Sequence, residues 1–171
     1  MKEIEEMKII KIFTIIIAVF FMSSCAPLKV PTIIKNDSIE GYKYIYITPT
    51  SNLTSSSGGV YGGQYYTYGA TTSKTVNPSD VITGILTKKG FIRIPELKPE
   101  LVDETLIVNY GESGRRNRGL GYTIEVTIQF VSAKTNALIC SCTAEGQGET
   151  EADDIRQAIT RCLESLLSKE N

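Results

Sequence analysis

Histidine and tryptophan are missing from this chain, and its 18 Lys plus Arg are balanced by 19 Asp plus Glu, a formal charge of −1. Without histidine there is no Ser-His-Asp or Cys-His nucleophile system, no His-bearing metal site, and no side chain whose ordinary pKa lies near neutrality. Without an excess of positive charge there is no basic field of the kind nucleic acid recognition uses, so no nucleic-acid partner is expected. Long hydrophobic runs are missing too. The longest, Ile12 to Met22, has eleven residues, about 17 Å as a helix against a hydrocarbon core of about 30 Å. What remains is 171 residues with 42% apolar content, one domain's worth of chain.

The apolar run follows Lys8 and Lys11 and precedes Ser23, Ser24 and Cys25. That order reads as a secretory signal of residues 1–24 rather than a span, with a basic start if Met7 is the initiator. The small residues before Cys25 resemble the lipobox of bacterial lipoproteins, with Met22 where Leu is usual. The resemblance implies cleavage before Cys25, acylation of that residue, and a stable membrane anchor, since three acyl chains exceed the two-signal requirement. Ala26 after the cysteine and the lack of an acidic cluster in 28–32 point to the outer membrane, facing the periplasm. Residues 25–41 hold Pro27 and Pro31 without strand or helix periodicity and read as the lipidated cysteine and a tether. Within it Asp37-Ser38-Ile39 resembles the bacterial O-glycosylation acceptor, which makes Ser38 a candidate modification site.

A single domain is expected over 42–171. Tyr42 to Thr48 alternates aromatic and β-branched residues and predicts a central strand. Residues 51–76 combine Ser and Gly with Tyr61, Tyr65, Tyr66 and Tyr68, without a core-forming period, and predict a long loop. Asn77-Pro78 with Asp80 opens a helix to Lys89 closed by Gly90. Phe91 to Ile94 makes a short strand, Thr105 to Tyr110 an interior one, and Tyr122 to Phe130 alternates as a half-buried one. Ala137 to Glu145 is its hairpin partner. Thr150 with Asp153 caps a final amphipathic helix to about Ser168. The order β-α-β-β-β-α predicts an α+β two-layer sandwich, with a mainly antiparallel sheet of four to five strands and both helices on one face.

The stretch from TLIVNY through YTIEVTIQFVSAKTNALI to AEGQGETEADDIRQAITRCLESLL resembles small periplasmic lipoprotein domains of unknown function found in Bacteroidota, and more distantly the amino-terminal domain of TolB-like proteins. The likeness covers about residues 42–168 and rests on element order and the A-K-T-x-x-L hairpin, with Ser132 where Asp is expected. It implies an envelope lipoprotein with no cofactor and no known reaction.

Three groups of residues invite a chemical role. Cys140, Cys142 and Cys162 point to one predicted interface, where Cys162 either bonds one of the other two or all three stay buried thiols; a metal site is not expected. Gly111 to Gly119 reads as a hairpin loop presenting Arg115, Arg116 and Arg118, whose forks suit a lipid headgroup or an acidic partner and whose replacement should leave stability nearly unchanged. The Tyr61 to Tyr68 segment offers aromatic faces to a partner or glycan. The expected activity is that of a non-catalytic, lipid-anchored module that binds an envelope protein, with glycan or anionic-headgroup binding as the alternative and an enzyme a distant third.

Overall fold

The computed structural model describes residues 27–49, 53–57, 60–63, 66–69, 72–118 and 121–168, with side chains described outside 50–76. It is an α+β fold with a mixed sheet of six strands and two main helices. In chain order these are β1 (Thr32–Lys35), β2 (Tyr44–Ile47), β3 (Leu53–Ser57), β4 (Val60–Gly63), β5 (Tyr66–Gly69), β6 (Thr72–Val76), α1 (Pro78–Lys88), β7 (Ile92–Arg93), β8 (Thr105–Asn117), β9 (Tyr122–Ser132), β10 (Leu138–Gly146) and α2 (Glu151–Leu167). The sheet runs β1-β10-β9-β8-β2-β7.

This arrangement corrects the expected antiparallel sheet of four to five strands. Pairs β1–β10, β10–β9 and β9–β8 are antiparallel, but β2 lies parallel to both β8 and β7. A parallel neighbour needs a crossover, and α1 supplies it between β2 and β7. The sixth strand comes from the expected tether. Thr32–Lys35 lacks alternation of its own, yet it pairs with β10 from Thr32 opposite Thr143 to Lys35 opposite Cys140. The expected loop at 51–76 is also corrected: β3 pairs with β6 and β4 with β5 as antiparallel ribbons. Backbone pairing needs no apolar period, and Thr, Tyr and Val suit an extended chain.

Helix α1 starts where local chemistry dictates. The Asn77 side chain accepts the Ser79 N–H at 3.0 Å, Pro78 occupies the first turn, and Gly90 just beyond the Lys89 cap has φ +97°. Helix α2 starts at Thr150, whose hydroxyl oxygen accepts the Asp153 N–H at 3.3 Å. The apolar stripes of both helices, Ile82 and Leu86 from α1 and Ile155, Ile159, Cys162, Leu163 and Leu166 from α2, share one core with Ile45, Val108, Ile128, Phe130 and Cys142 of the sheet. Strand and helix approach so closely at Gly146 that an added methyl would overlap the Asp154 carbonyl oxygen.

The opposite sheet face follows from the registers. Thr32 and Ile34 of β1, Ser141 and Thr143 of β10, Thr127, Gln129 and Val131 of β9, Ile107 and Asn109 of β8, Tyr44 and Tyr46 of β2, and Ile92 of β7 line it. Glu125 and Glu145, partners in the β9–β10 register, and Arg116 stand on the same face at one end, and the side chains between them and β7 are uncharged.

Candidate functional site

The hairpin of β8 and β9 is longer than its glycines suggest. Gly111 to Asn117, expected as loop, are the second half of β8, and the turn closes where Arg118 N–H meets the Gly121 carbonyl at 2.7 Å. A register shift between Glu112 and Gly114 inserts Ser113 as an extra residue. One inserted residue exchanges the faces of everything beyond it. Arg115 therefore stands opposite Ile124 on the helix side, while Arg116 stands opposite Thr123 on the other.

Each guanidinium bonds a side chain of this molecule. Arg115 Nε donates to Glu112 Oε1 at 2.5 Å, and its Nη2 donates to Glu151 Oε1 at 2.7 Å in the first turn of α2. The Glu112 and Glu151 carboxylates raise its pKa further. Arg116 grips Glu145 with two bonds, Nε to Oε1 at 2.8 Å and Nη2 to Oε2 at 2.6 Å. Arg118 donates to Gln147 Oε1. The fork chemistry read from the sequence is used, but on this chain's own acids and amide.

Glu145 is the centre of this end of the fold. Its side chain is 2% exposed, its Oε2 also accepts the Lys29 N–H at 3.1 Å, and Lys29 Nζ lies 3.5 Å from Oε1. Arg161 of α2 donates to the Glu145 carbonyl and, at 2.7 Å, to that of Lys29. The Arg116 bonds, aided by Lys29, outweigh burial and hold the Glu145 carboxyl down at about 2. The sequence reading passed over Glu145, Lys29 and Arg161. The available signal was a carboxylate at the end of β10 in a hairpin whose other arm carries three arginines.

The thiols lie in the core. Cys140, Cys142 and Cys162 are buried and free, and Cys142 Sγ donates to the Cys162 carbonyl at 3.2 Å. Burial pushes the Cys140 thiol up to about 11, and the contact with Cys142 together with burial raises Cys162. Such thiols are poor nucleophiles.

At the opposite end of β1, β10 and α2 lies a cleft of about 870 Å³. Its floor is Ile39, Phe91, Cys140 and Leu166, and Tyr42, Ser38, Lys35 and Lys89 are among the polar groups around it. Ser38 is exposed at this rim in a tight turn, where Asp37 Oδ1 accepts the Ser38 N–H at 2.7 Å and Ser38 Oγ accepts the Glu40 N–H at 3.0 Å. Tyr42 was legible in the sequence only as a strand residue. Cys25 and the side chains of Tyr61, Tyr65, Tyr66 and Tyr68 lie outside the described residues, although the backbones of Tyr61 and Tyr68 pair across the β4–β5 ribbon. No described helix is long and apolar enough to cross a membrane.

No family model and no curated protein matches the chain. Among solved structures it is similar to a single-residue variant of the PelC dodecamer from Paraburkholderia phytofirmans, at 13% identity and a TM-score of 0.46, over 82% of this chain and 99% of that one. A second crystal form of the PelC dodecamer from the same organism aligns at 12% identity and a TM-score of 0.42 with the same coverage. Likeness at this level carries neither fold nor function across.

Proposed function

We propose that this chain is a cell-envelope lipoprotein, acylated at Cys25 and held at the periplasmic side of the outer membrane, whose domain is a non-catalytic protein-interaction module. The observation that carries the interaction reading is the uncharged stretch of the helix-free sheet face, from Thr127 and Thr143 across to Tyr44 and Ile92, beyond the charged end at Glu125, Glu145 and Arg116. Interface centres are depleted of charge and enriched in aromatic residues, and this face offers Tyr44, Tyr46, Ile107 and Val131 among the amides of Asn109 and Gln129 and the hydroxyls of Thr127 and Thr143. Thr127 and Thr143 hydroxyls already bond each other across the strands at 2.8 Å, which fixes their orientation. Ile34 at one edge is 51% exposed and Ile92 at the other 46%.

The test is in-cell crosslinking and copurification of the full chain beside a Thr127→Lys/Gln129→Lys variant. Two charges in the centre of the face should abolish recovery of a specific partner while the variant remains folded. Recovery of the same partner by both forms contradicts the reading. Cys25→Ala should leave the signal unprocessed and the protein unlipidated, as read by intact mass; lipid on the variant contradicts the anchor.

The cleft supports glycan binding as a second reading. Tyr42 supplies an apolar ring and a hydroxyl beside Ser38 and Glu40, the mixed surface that sugars stack on and bond to. Saturable binding of an envelope oligosaccharide, lost in Tyr42→Ala, favours it. Binding unchanged in that variant removes it.

A further inference from the structure

The anchor and the domain are closer together than the sequence suggests. Only Ala26, Pro27 and Leu28 separate Cys25 from Lys29, and Lys29 is fixed to the fold from three directions. Its N–H donates to Glu145 Oε2 at 3.1 Å, its carbonyl accepts from Arg161 Nη2 at 2.7 Å, and its ammonium lies 3.5 Å from Glu145 Oε1. Four residue steps reach at most about 14 Å when fully extended. The Lys29–Glu145 end is therefore confined near the acyl chains, while β1 leads from there to the cleft at the other end of the sheet. Helix α2, which begins beside the hub and ends at the cleft, has 17 residues and measures about 25 Å.

Resting on the lipoprotein reading, we propose that the hub end of the domain lies directly on the phospholipid headgroup layer and that the cleft faces away from the membrane. The exposed groups at this end suit that neighbour. Tyr122 is 38% exposed with the Arg115 guanidinium 5.3 Å from its ring centre. An aromatic ring with a polar tip beside a cation is the pairing that settles at a headgroup boundary. Val30, one residue past the clamp, is 85% exposed, and the Lys29 side chain is 61% exposed. Both signs of charge stand together here, Lys29 and Arg116 with Glu145 and Arg115 with Glu112 and Glu151, which suits zwitterionic headgroups and needs no patch of one sign. The hub then has a mechanical role: it fixes the leading segment to the sheet, so that a short anchor orients the whole domain.

The test places a fluorophore on the full acylated chain in vesicles of phosphatidylethanolamine and phosphatidylglycerol carrying a headgroup nitroxide. One probe sits at Glu149→Cys beside the hub, the other at Lys89→Cys on the cleft; the parent chain, whose core thiols are buried, is the labelling control. Quenching severalfold stronger at 149 than at 89 is the expected result. Inserting about twenty Gly and Ser residues after Ala26, with a mean reach of about 25 Å, should remove the difference. Equal quenching at both sites in a chain shown by intact mass to be acylated overturns the orientation and leaves the anchor standing. A chain shown by the same measurement to lack lipid overturns both.

Discussion

Replacing Glu145 by Gln removes one charge and almost no volume from the point where the leading segment, the hairpin and β10 meet. The wild-type carboxylate accepts two bonds from Arg116 and one from the Lys29 backbone, with the Lys29 ammonium close by. Its carboxyl is held at about 2 against an ordinary 4.5, a difference that converts to about 3 kcal/mol at 1.36 kcal/mol per unit. Arg116 and Lys29 are 34% and 61% exposed and recover hydration when the charge is lost, so solvent screening reduces the expected cost to about 2 kcal/mol. The sign of the pH dependence follows from the lowered pKa. Between the two values the unfolded chain binds the proton and the folded chain does not, so this stabilisation is complete above about pH 5 and disappears as the pH falls toward 2. Urea denaturation of wild type and Glu145→Gln between pH 7 and pH 2.5 measures it directly. The curves should differ by about 2 kcal/mol at pH 7 and converge in acid. A difference below about 0.5 kcal/mol at pH 7, the range of an ordinary surface change, or one that persists in acid, refutes the assignment.

Arg116→Glu places a second carboxylate against Glu145 and should lower the midpoint of thermal unfolding, whereas the sequence reading of an exposed loop predicts almost no change; thermal unfolding separates the two. Gly146→Ala drives a methyl into the Asp154 carbonyl and should cost about 3 kcal/mol or prevent folding, read by expression and circular dichroism, and an Ala variant of wild-type stability contradicts the close approach. Asn77→Ala loses the cap bond to Ser79 and should cost about 1 kcal/mol in the same denaturation assay. Cys140, Cys142 and Cys162 should resist a soluble thiol reagent in the native protein and react together in urea. Rapid labelling of the folded chain contradicts their burial.

Helices and the central hairpin were legible because their signals are local. Asn77-Pro78 and Thr150 with Asp153 set both helix starts, and the alternation of Ile124, Val126, Ile128 and Phe130 set β9 with its inward face. The same periodicity placed Cys162 on the buried stripe that meets Cys142. Strand β1 was not legible, because Thr32–Lys35 becomes a strand only by pairing with β10, more than a hundred residues later. The parallel placement of β2 is likewise a property of the crossover and not of Tyr44–Ile47. The arginines were noticed for their chemistry, but their destination depended on Ser113: one extra residue turns Arg115 toward Glu151 and Arg116 toward Glu145. Glycines at 111 and 114 suggested a loop because they carry no periodic signal, although a strand with a bulge admits them.

The most direct test of the interaction reading is a photo-crosslinker carried in living cells at Gln129, within the uncharged stretch of the helix-free face, compared with the same group at Glu164 on the exposed side of α2. A discrete adduct formed from position 129, absent from 164 and lost when Thr127 is replaced by Lys, is the predicted result. No adduct from 129, or the same adducts from both positions, contradicts a module that binds through its helix-free face.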